Sequence, residues 1–467
     1  MTRNKILLEQ VEVLGLADRG LSIGKDPEGK VIFLEGVVPG DVIDAKILRK
    51  RKGYYQGIPE RFIKHSDFRC DPPCPHFEDC GGCKWQHLEY GQQLKEKEKI
   101  VRDAFERIAK TPITQVFPIL GAPEIYHYRN KMEFSFSNQR WRTKAEVASD
   151  AEVPDKALGL HPPRFFNKVV DINQCLLMPV LNDQIRNYVR AYANENKLTF
   201  YDPERHQGFL RNMILRCTLD GEWMVVISFG YEDCDKRAAL LKGLRERFPE
   251  IISLHYVINK KKNDTIFDQE VILEWGAPAI TERLGMLTYQ VKPKSFFQTN
   301  TRQAKQLYDI VKSFATLKKQ DTVYDLYTGT GSIALYLADE CQSVIGVEEV
   351  EDAITDAKEN ARNNQIDNAH FYVGDVKNVF QDNLLLSHGQ PDVVITDPPR
   401  AGMHEKVVSS ILKAQPGKIV YISCNPATQA RDINLLSEEY KVEKIQPVDM
   451  FPHTHHIENV ALLTKRQ

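Results

Sequence analysis

In the last third of the chain, five short apolar runs (VYDLY, SVIGVE, HFYVGD, PDVVITD and KIVYIS) alternate with helical stretches such as EDAITDAKENARNN and HEKVVSSILKAQ. Strands apolar on both faces, separated by amphipathic helices, predict an α/β fold with a parallel, doubly wound sheet covered by helices on both faces. Ligands of such sheets bind outside the carboxyl ends of the strands. The residues that follow each run are therefore where chemistry is expected.

The rest of the chain reads differently. Residues 1 to about 60 alternate apolar and polar positions in VEVLGLA, VIFLEGVV and DVIDAKIL, with Gly20, Gly24 and Pro39-Gly40 as punctuation. That pattern predicts a small antiparallel barrel. A Cys-, Pro- and Gly-rich stretch over 61–93 has no clear period, and the helical pattern YGQQLKEKEKIVRDAFERIAK follows it. Strand-like segments return in HYRNKMEFSFS, GFLRNMILRCTL, EWMVVISFG and LTYQVKPKSFFQ. A chain of 467 residues is too long for one ordinary core. The division expected is a barrel at 1–62, a β-rich central domain at 63–290 and the α/β domain at 291–467.

Apolar content of 42% and charged content of 27% are those of a soluble globular protein. No run approaches the roughly 20 apolar residues that span a bilayer, and MTRNKILLEQVEVLG lacks a signal-peptide core. A cytoplasmic protein without a membrane partner is expected. Thiols stay reduced there, so the nine cysteines are read as ligands, catalytic groups or buried apolar residues. The formal charge of −2 does not announce a nucleic-acid binder. The segment KILRKRKGYYQG, however, joins Lys46, Arg49, Lys50, Arg51 and Lys52 to Tyr54 and Tyr55, a pairing of cations and rings suited to RNA or to a plain solvated loop.

The strand VYDLY runs into TGTGS, giving Asp325, Tyr327, Gly329, Gly331 and Ser332. Paired glycines let the backbone turn and approach a ligand closely. The second strand ends at Glu348, where an acid is the usual partner of a ribose diol. The third ends in Gly374-Asp375, placed for an adenine edge. No phosphate-binding lysine follows the glycines, which favours a nucleoside such as S-adenosylmethionine over a triphosphate. A nicotinamide dinucleotide remains open on the sheet alone, although the third glycine of its fingerprint is missing.

The fourth strand ends TDPPRAG, with Asp397 and Arg400, and the fifth ends ISCNPAT, with Cys424. Adjacent parallel strands set these loops side by side. A cysteine that ends a strand is often a buried apolar residue, but Asn425-Pro426 argues for a sharp exit into an accessible loop. Carbon 5 of uracil is too weak a nucleophile to attack a methyl sulfonium. Addition of a thiolate to carbon 6 makes an enolate that is strong enough. Release of the thiolate then needs a base for the carbon 5 proton. The tail FPHTHHIENVALL offers His453, His455, His456 and Glu458, of which Glu458, just before an apolar run, is preferred. His-x-His-His also allows a metal site, but no second cluster of ligands accompanies it.

FFQTN (Phe296 to Asn300), DLYTGTGS, DPPRAG, SCNPAT and HHIENV occur in the order found in the RNA 5-methyluridine methyltransferases, which this sequence resembles over essentially its whole length. The likeness is strongest to the bacterial 23S rRNA uracil-5-methyltransferases. GLADRGLSIG and GVVPGDVIDAKI resemble a TRAM domain, an OB-like barrel used for RNA contact. The resemblance implies Cys424 as nucleophile and Glu458 as base. It implies a cofactor pocket of Gln298, Tyr327, Glu348, Asp375 and Asp397, with Ser332 where some members carry Asn. It also implies a Rossmann-like methyltransferase domain and a uridine extruded from RNA. The expected partner is 23S rRNA, the expected state a monomer; a tRNA enzyme is the alternative. Asp-Pro-Pro-Arg is also similar to the D-P-P-Y loop of N-methyltransferases, which have no use for Cys424 or Glu458.

CDPPCPHFEDCGGC holds Cys70, Cys74, Cys80 and Cys83, with Cys175 far downstream. Three close thiolates and a remote fourth suit a [4Fe-4S] cluster or zinc. The radical-enzyme spacing C-x3-C-x2-C is absent. The resemblance implies an iron–sulfur cluster on Cys74, Cys80, Cys83 and Cys175 and leaves Cys70 without a ligand role. A non-catalytic iron–sulfur RNA-binding factor is a further reading, one that does not call for the cofactor-pocket residues. Cys217, Cys234 and Cys341 are expected to pack in the interior.

Overall fold

The computed structural model describes residues 6–149, 152–380 and 382–466; the first five residues of the N-terminal stretch discussed above lie outside them. Strands β1 (Ile6–Leu16), β2 (Ser22–Lys25), β3 (Val31–Leu34), β4 (Val42–Lys50) and β5 (Tyr54–Lys64) close into a barrel in the order β1-β2-β3-β5-β4. The alternation in β1 turns Val11 and Val13 inward against Ile32, Leu34, Ile43 and Ala45. One pairing departs from the antiparallel expectation: β3 and β5 run parallel, Val31 facing Tyr54. The reason is topological, since β5 inserts between β3 and β4 to close the barrel. The basic run expected to meet RNA lies on β4 and β5, where Lys30 and Lys50 stand 3.9 Å and 5.6 Å from the Tyr55 ring.

Helix α1 (Tyr90–Ala104) forms where its pattern predicts, but its buried face is largely polar, with Gln93, Glu96 and Lys97 beside Val101 and Ala104. Each polar group has a partner that offsets its desolvation. Lys97 Nζ donates to Asp449 at 2.7 Å, Glu96 accepts from the Leu16 amide at 2.9 Å, and Gln93 donates to the Leu88 carbonyl at 2.7 Å.

After β6 (Ile113–Val116) come β7 (Lys131–Ser137), α2 (Lys144–Ala148), β8 (Ala157–Leu160), β9 (Val170–Asp171), α3 (Leu181–Glu195), β10 (Leu210–Cys217), β11 (Trp223–Phe229), α4 (Cys234–Arg247), β12 (Ile251–Ile258) and β13 (Ile272–Gly276). They form a central sheet in the order β13-β12-β11-β10-β7-β8-β9, followed by the hairpin β14 (Ile280–Leu284) and β15 (Leu287–Val291). One face of this sheet packs on Ile185 and Val189 of α3 and Leu240 and Leu244 of α4. The other sends Ile214, Met224, Val226 and Val257 into a core shared with the last third of the chain.

That last third contains α5 (Thr301–Ala315), β16 (Thr322–Leu326), α6 (Ser332–Leu337), β17 (Ser343–Glu348), α7 (Glu351–Asn363), β18 (Ala369–Val373), α8 (Val376–Val379), α9 (Asp382–His388), β19 (Val393–Thr396), α10 (Glu405–Ala414), β20 (Lys418–Ser423), α11 (Pro426–Leu436), β21 (Tyr440–Val448) and β22 (Glu458–Lys465). The sheet order is β18-β17-β16-β19-β20-β22-β21-β6. The five strands read from sequence are mutually parallel, as expected. The sheet is longer than they are: β22 runs antiparallel between β20 and β21, and β6 adds the outer edge from far upstream.

Two of the three cysteines expected to pack, Cys217 and Cys341, are buried; Cys234 instead lies exposed at the first position of α4. Among the described residues no helix is long and apolar enough to cross a membrane.

Candidate active site

The carboxyl ends of the parallel strands open into a cavity of about 1630 Å³. Cys424, Glu458, Gln298, Tyr327, Ser332, Glu348, Asp375 and Asp397 all line it. Eight residues scattered over 161 positions of sequence thus meet at one place, because the ends of β16, β17, β18, β19 and β20 or the loops after them deliver five and the start of the antiparallel β22 delivers Glu458, leaving only Gln298 and Ser332 from elsewhere.

The glycine loop is built as its residue types require. Tyr327 adopts φ 66°, Gly329 φ 55° and Gly331 φ 76°. Left-handed backbone is natural for the glycines and strained for the tyrosine, a strain typical of ligand sites. A side chain at Gly331 would press on Ala357 and Phe371 at 3.0 Å, whereas one at Gly329 would meet no protein atom within 4 Å. The loop is tied to the second strand: the Gly329 amide donates to Glu348 Oε2 at 3.2 Å. Ser332 begins α6 and pairs its hydroxyl with Tyr308 OH at 2.8 Å, a partner the sequence did not point to. Asp375 caps α8 and holds Lys377 at 2.6 Å.

Cys424 follows β20 and immediately precedes the N-cap of α11. Asn425 caps that helix, accepting from the Ala427 amide at 3.1 Å, while its Nδ2 donates to the Arg400 carbonyl at 3.1 Å. The same carbonyl accepts from Thr428 Oγ1 at 3.2 Å, so the Asp397–Arg400 loop is bound to the start of α11. In the β20–β22 ladder Ser423 faces Asn459, which brings Cys424 beside Glu458.

The electrostatics of this corner follow from three buried acids and one thiol. Burial, then Glu458 and Asp397, push the Cys424 thiol up to about 11, with Arg400 acting against them. Burial and Asp397 hold Glu458 well above the usual carboxylate range, partly offset by Arg400. Asp397 is pushed up to about 7 by burial and by Asp325, and Asp325 itself to about 7 by burial although Thr328 donates to it at 2.5 Å. Arg400 is the counter-charge, and its Nη2 also donates to His456 Nδ1 at 3.0 Å. Burial depresses His456 to about 3 and His453 to about 4, so both stay neutral near pH 7 and neither is tuned as a base. The histidines do not form a metal site: His453 stacks on Tyr126 and accepts at its carbonyl from the Trp85 amide at 3.0 Å. Glu348, Glu349 and Asp375 line the cofactor side of the cavity. With the glycine turn, this acidic edge fits a cationic nucleoside better than a phosphate-bearing one.

Residues 206–466 match the family described as tRNA (Uracil-5-)-methyltransferase, and residues 9–59 match the TRAM domain. The chain belongs to the tRNA (uracil-5-)-methyltransferase family. An RNA methyltransferase of Bacteroides thetaiotaomicron, whose function is uncharacterized, is 48% identical over 97% of this chain and 100% of its own. Another from Porphyromonas gingivalis is 46% identical over 97% of this chain and 99% of its own. The crystal structure of Pyrococcus abyssi tRNA (uracil-54, C5)-methyltransferase in complex with S-adenosyl-L-homocysteine is similar with a TM-score of 0.74 and 28% identity, covering 97% of this chain and 100% of that one. As a member of the uracil-5 family the protein is an S-adenosylmethionine-dependent RNA methyltransferase with an N-terminal TRAM barrel.

The cysteine-rich loop of this family member lies against the central sheet. Cys175 is buried in its core, with Cys80 and Cys83 packed on the same cluster. Burial pushes the Cys80 and Cys83 thiols up to about 12, and each is raised further by Cys175 and Cys74. Cys80, Cys83 and Cys175 thus share one cluster, whereas Cys70 is exposed and donates to the Gln86 carbonyl at 3.3 Å. Gly81 has a reason to be glycine: a side chain there would strike the His161 carbonyl at 2.6 Å. Among the described residues no group of three or more His, Cys, Asp or Glu side chains is set to hold a metal ion.

Proposed function

We propose that the protein methylates carbon 5 of a uridine in 23S rRNA through a covalent bond between Cys424 and carbon 6 of the base. The observation that carries the proposal is the meeting of Cys424, Glu458, Asp397 and Arg400 at the end of the cavity that also holds the glycine loop. Cys424 rests as a thiol. As its sulfur adds to carbon 6, the thiol proton passes to water in the open cavity, and Arg400 opposes the negative charge that grows on sulfur. The π electrons of the ring move to carbon 5 and the carbonyl above it. S-adenosylmethionine, held by Gln298, Tyr327, Ser332, Glu348, Asp375 and Asp397, supplies when bound the methyl group that carbon 5 takes up. Glu458 then removes the carbon 5 proton, the carbon–sulfur bond breaks, and the thiolate leaves on a restored double bond. A carboxylate raised by burial is a stronger base than an exposed one, which suits this step.

In this reading residues 1–62 grip RNA, 63–290 present it, and 291–467 carry the transfer. Cys74, Cys80, Cys83 and Cys175 are the ligands of a [4Fe-4S] cluster. Support comes from the packing of Cys80, Cys83 and Cys175 on one cluster and from the motif shared with the rRNA subgroup. Methyl transfer consumes no electron, so a cluster would supply a cross-link rather than redox chemistry. A tRNA uridine is the second reading, favoured by the tRNA enzyme from Pyrococcus abyssi that aligns with barrel and catalytic domain alike.

The experiment is trapping on 5-fluorouridine transcripts, from which no carbon 5 proton can be removed. A stable protein–RNA adduct with 23S rRNA fragments and S-adenosylmethionine, absent in Cys424→Ala, is expected. Adduct with tRNA transcripts alone would move the assignment to tRNA, and none with either would overturn it. Anaerobically purified protein should absorb in the visible region and lose that band in Cys80→Ala; colourless zinc-bearing protein would refute the cluster.

A further inference from the structure

The cavity lining extends beyond the residues assigned to the cofactor and the uridine. His255 of β12, Leu273 of β13, and Phe267, Val271 and Pro278 in the loops flanking β13 line the same cavity of about 1630 Å³. None of these residues belongs to the cofactor loops or to the Cys424 corner.

Three observations show what this wall is suited to hold. His255, on β12, is 3% exposed; its Nε2 shares a hydrogen bond of 2.8 Å with Ser253 Oγ, while its Nδ1 is buried without a partner. Burial depresses its pKa to about 4, so it is a neutral ring. A serine hydroxyl can donate or accept, so Nδ1 is free to take either role toward a ligand. A buried polar atom left unpaired costs about 1–3 kcal/mol unless something completes it. Next, Phe267 is 65% exposed and Leu273 42% exposed, an apolar surface open to a planar ring. Finally, Lys294 lines the cavity, and the loop leading to Phe267 carries exposed Lys260, Lys261 and Lys262, of which Lys261 is paired with Asp268 at 2.8 Å. An apolar shelf, one unpaired hydrogen-bonding nitrogen at its back and a rim of lysines match a base, its polar edge and its phosphate.

We infer that this shelf is a second base subsite, in which a nucleotide adjacent to the target uridine leaves its stack, lies on Phe267 and hydrogen-bonds His255 Nδ1. The inference rests on the uridine reading above and deepens it: the enzyme selects its uridine partly through a neighbouring base. The segment that carries Gln298 is tied to the central sheet that also bears His255: Arg216 of β10 donates to the Ser295 carbonyl at 2.6 Å and Asn130 to the Gln298 carbonyl at 2.9 Å.

The test uses the full chain and single-stranded heptaribonucleotides with 5-fluorouridine at the centre and 2-aminopurine at either neighbouring position. Transfer of 2-aminopurine from its stack to the shelf changes its fluorescence at one of the two positions. Phe267→Ala should remove that change and weaken RNA binding about tenfold, and Phe267→Trp should restore both. His255→Gln tests the edge contact by altering which neighbouring base is preferred. S-adenosylhomocysteine affinity, measured in every variant, reports an intact fold and should not move for Phe267→Ala. An unchanged 2-aminopurine response in Phe267→Ala, or no response at either neighbour in the parent protein, overturns the subsite. A loss of S-adenosylhomocysteine affinity in Phe267→Ala overturns it too, by making the shelf part of the cofactor site. Failure of the uridine reading is distinct, because it removes the Cys424 adduct whatever the 2-aminopurine does.

Discussion

At the scale of single residues, the corner around Cys424 is held in an uncomfortable state that its chemistry uses. Two predictions separate its acids. Glu458→Gln keeps the shape of the base but cannot accept the carbon 5 proton. Turnover on uridine RNA should fall by about 10²–10⁴, and the RNA–protein adduct should accumulate without any fluorine substitution, seen as a shifted band on a denaturing gel. A variant that loses both turnover and adduct would place Glu458 at the addition step instead. Asp397 tests the electrostatics. Its folded pKa of about 7 exceeds the ordinary 3.8, so the folded protein keeps a proton that the unfolded chain releases between those values. Its contribution to stability therefore falls as pH rises across that window. Asp397→Asn, always neutral, should raise the thermal midpoint most at about pH 8.5, by clearly less at about pH 5, and hardly at all near about pH 3. A gap that grows toward acid would contradict burial as the cause. Such residues were legible in the sequence because each borders an apolar run. Tyr308, His255 and Phe267 were not, since one lies within a helix, one in a strand and one in a polar loop.

At the scale of elements, the parallel strands could be read because the middle of a strand buried on both faces must be apolar, as residues 393–395 and 419–422 are. The parts that escaped are those whose partners lie far away. Nothing local in Ile113–Val116 says that it pairs with a strand beginning at Tyr440. Nor does the period of α1 disclose that Gln93, Glu96 and Lys97 are interior, because burial there depends on hydrogen bonds from distant segments. The end of β20 was half legible: Asn425-Pro426 signalled an exit, and the structure adds that Asn425 ties two loops together. Asn425→Ala should cost about 1 kcal/mol of stability through the lost cap. It should slow adduct formation by much more than that figure implies, because it also frees the Arg400 loop. Urea unfolding and the trapping rate, measured on the same preparation, provide the comparison; equal losses in both would reduce Asn425 to a cap alone.

At the scale of the whole molecule, the cysteine loop and Glu458, the proposed base, share a single anchor. Lys97 and Asp449 are fully buried and 2.7 Å apart, and Lys97 also donates to the Phe451 carbonyl at 3.2 Å. Two residues further on, the His453 carbonyl accepts from the amides of Lys84 and Trp85, directly after Cys83. The chain from Asp449 to Glu458 is thus pinned by α1 on one side and by the cysteine loop on the other. Removing one member of a buried ion pair costs about 3–5 kcal/mol, because the survivor is left charged in a medium that cannot solvate it. Lys97→Met should therefore unfold at markedly lower temperature. The double variant Lys97→Met/Asp449→Leu, which buries no unpaired charge, should recover most of that loss. Recovery of stability should not bring recovery of rate, because the anchor of the Phe451 carbonyl is still missing and Glu458 follows a loop that is no longer held. Calorimetry and single-turnover methyl transfer on the three proteins decide the matter. If the double variant regains both stability and rate, the pair is only a space-filling device, and the link between cysteine loop and catalytic base does not run through Lys97.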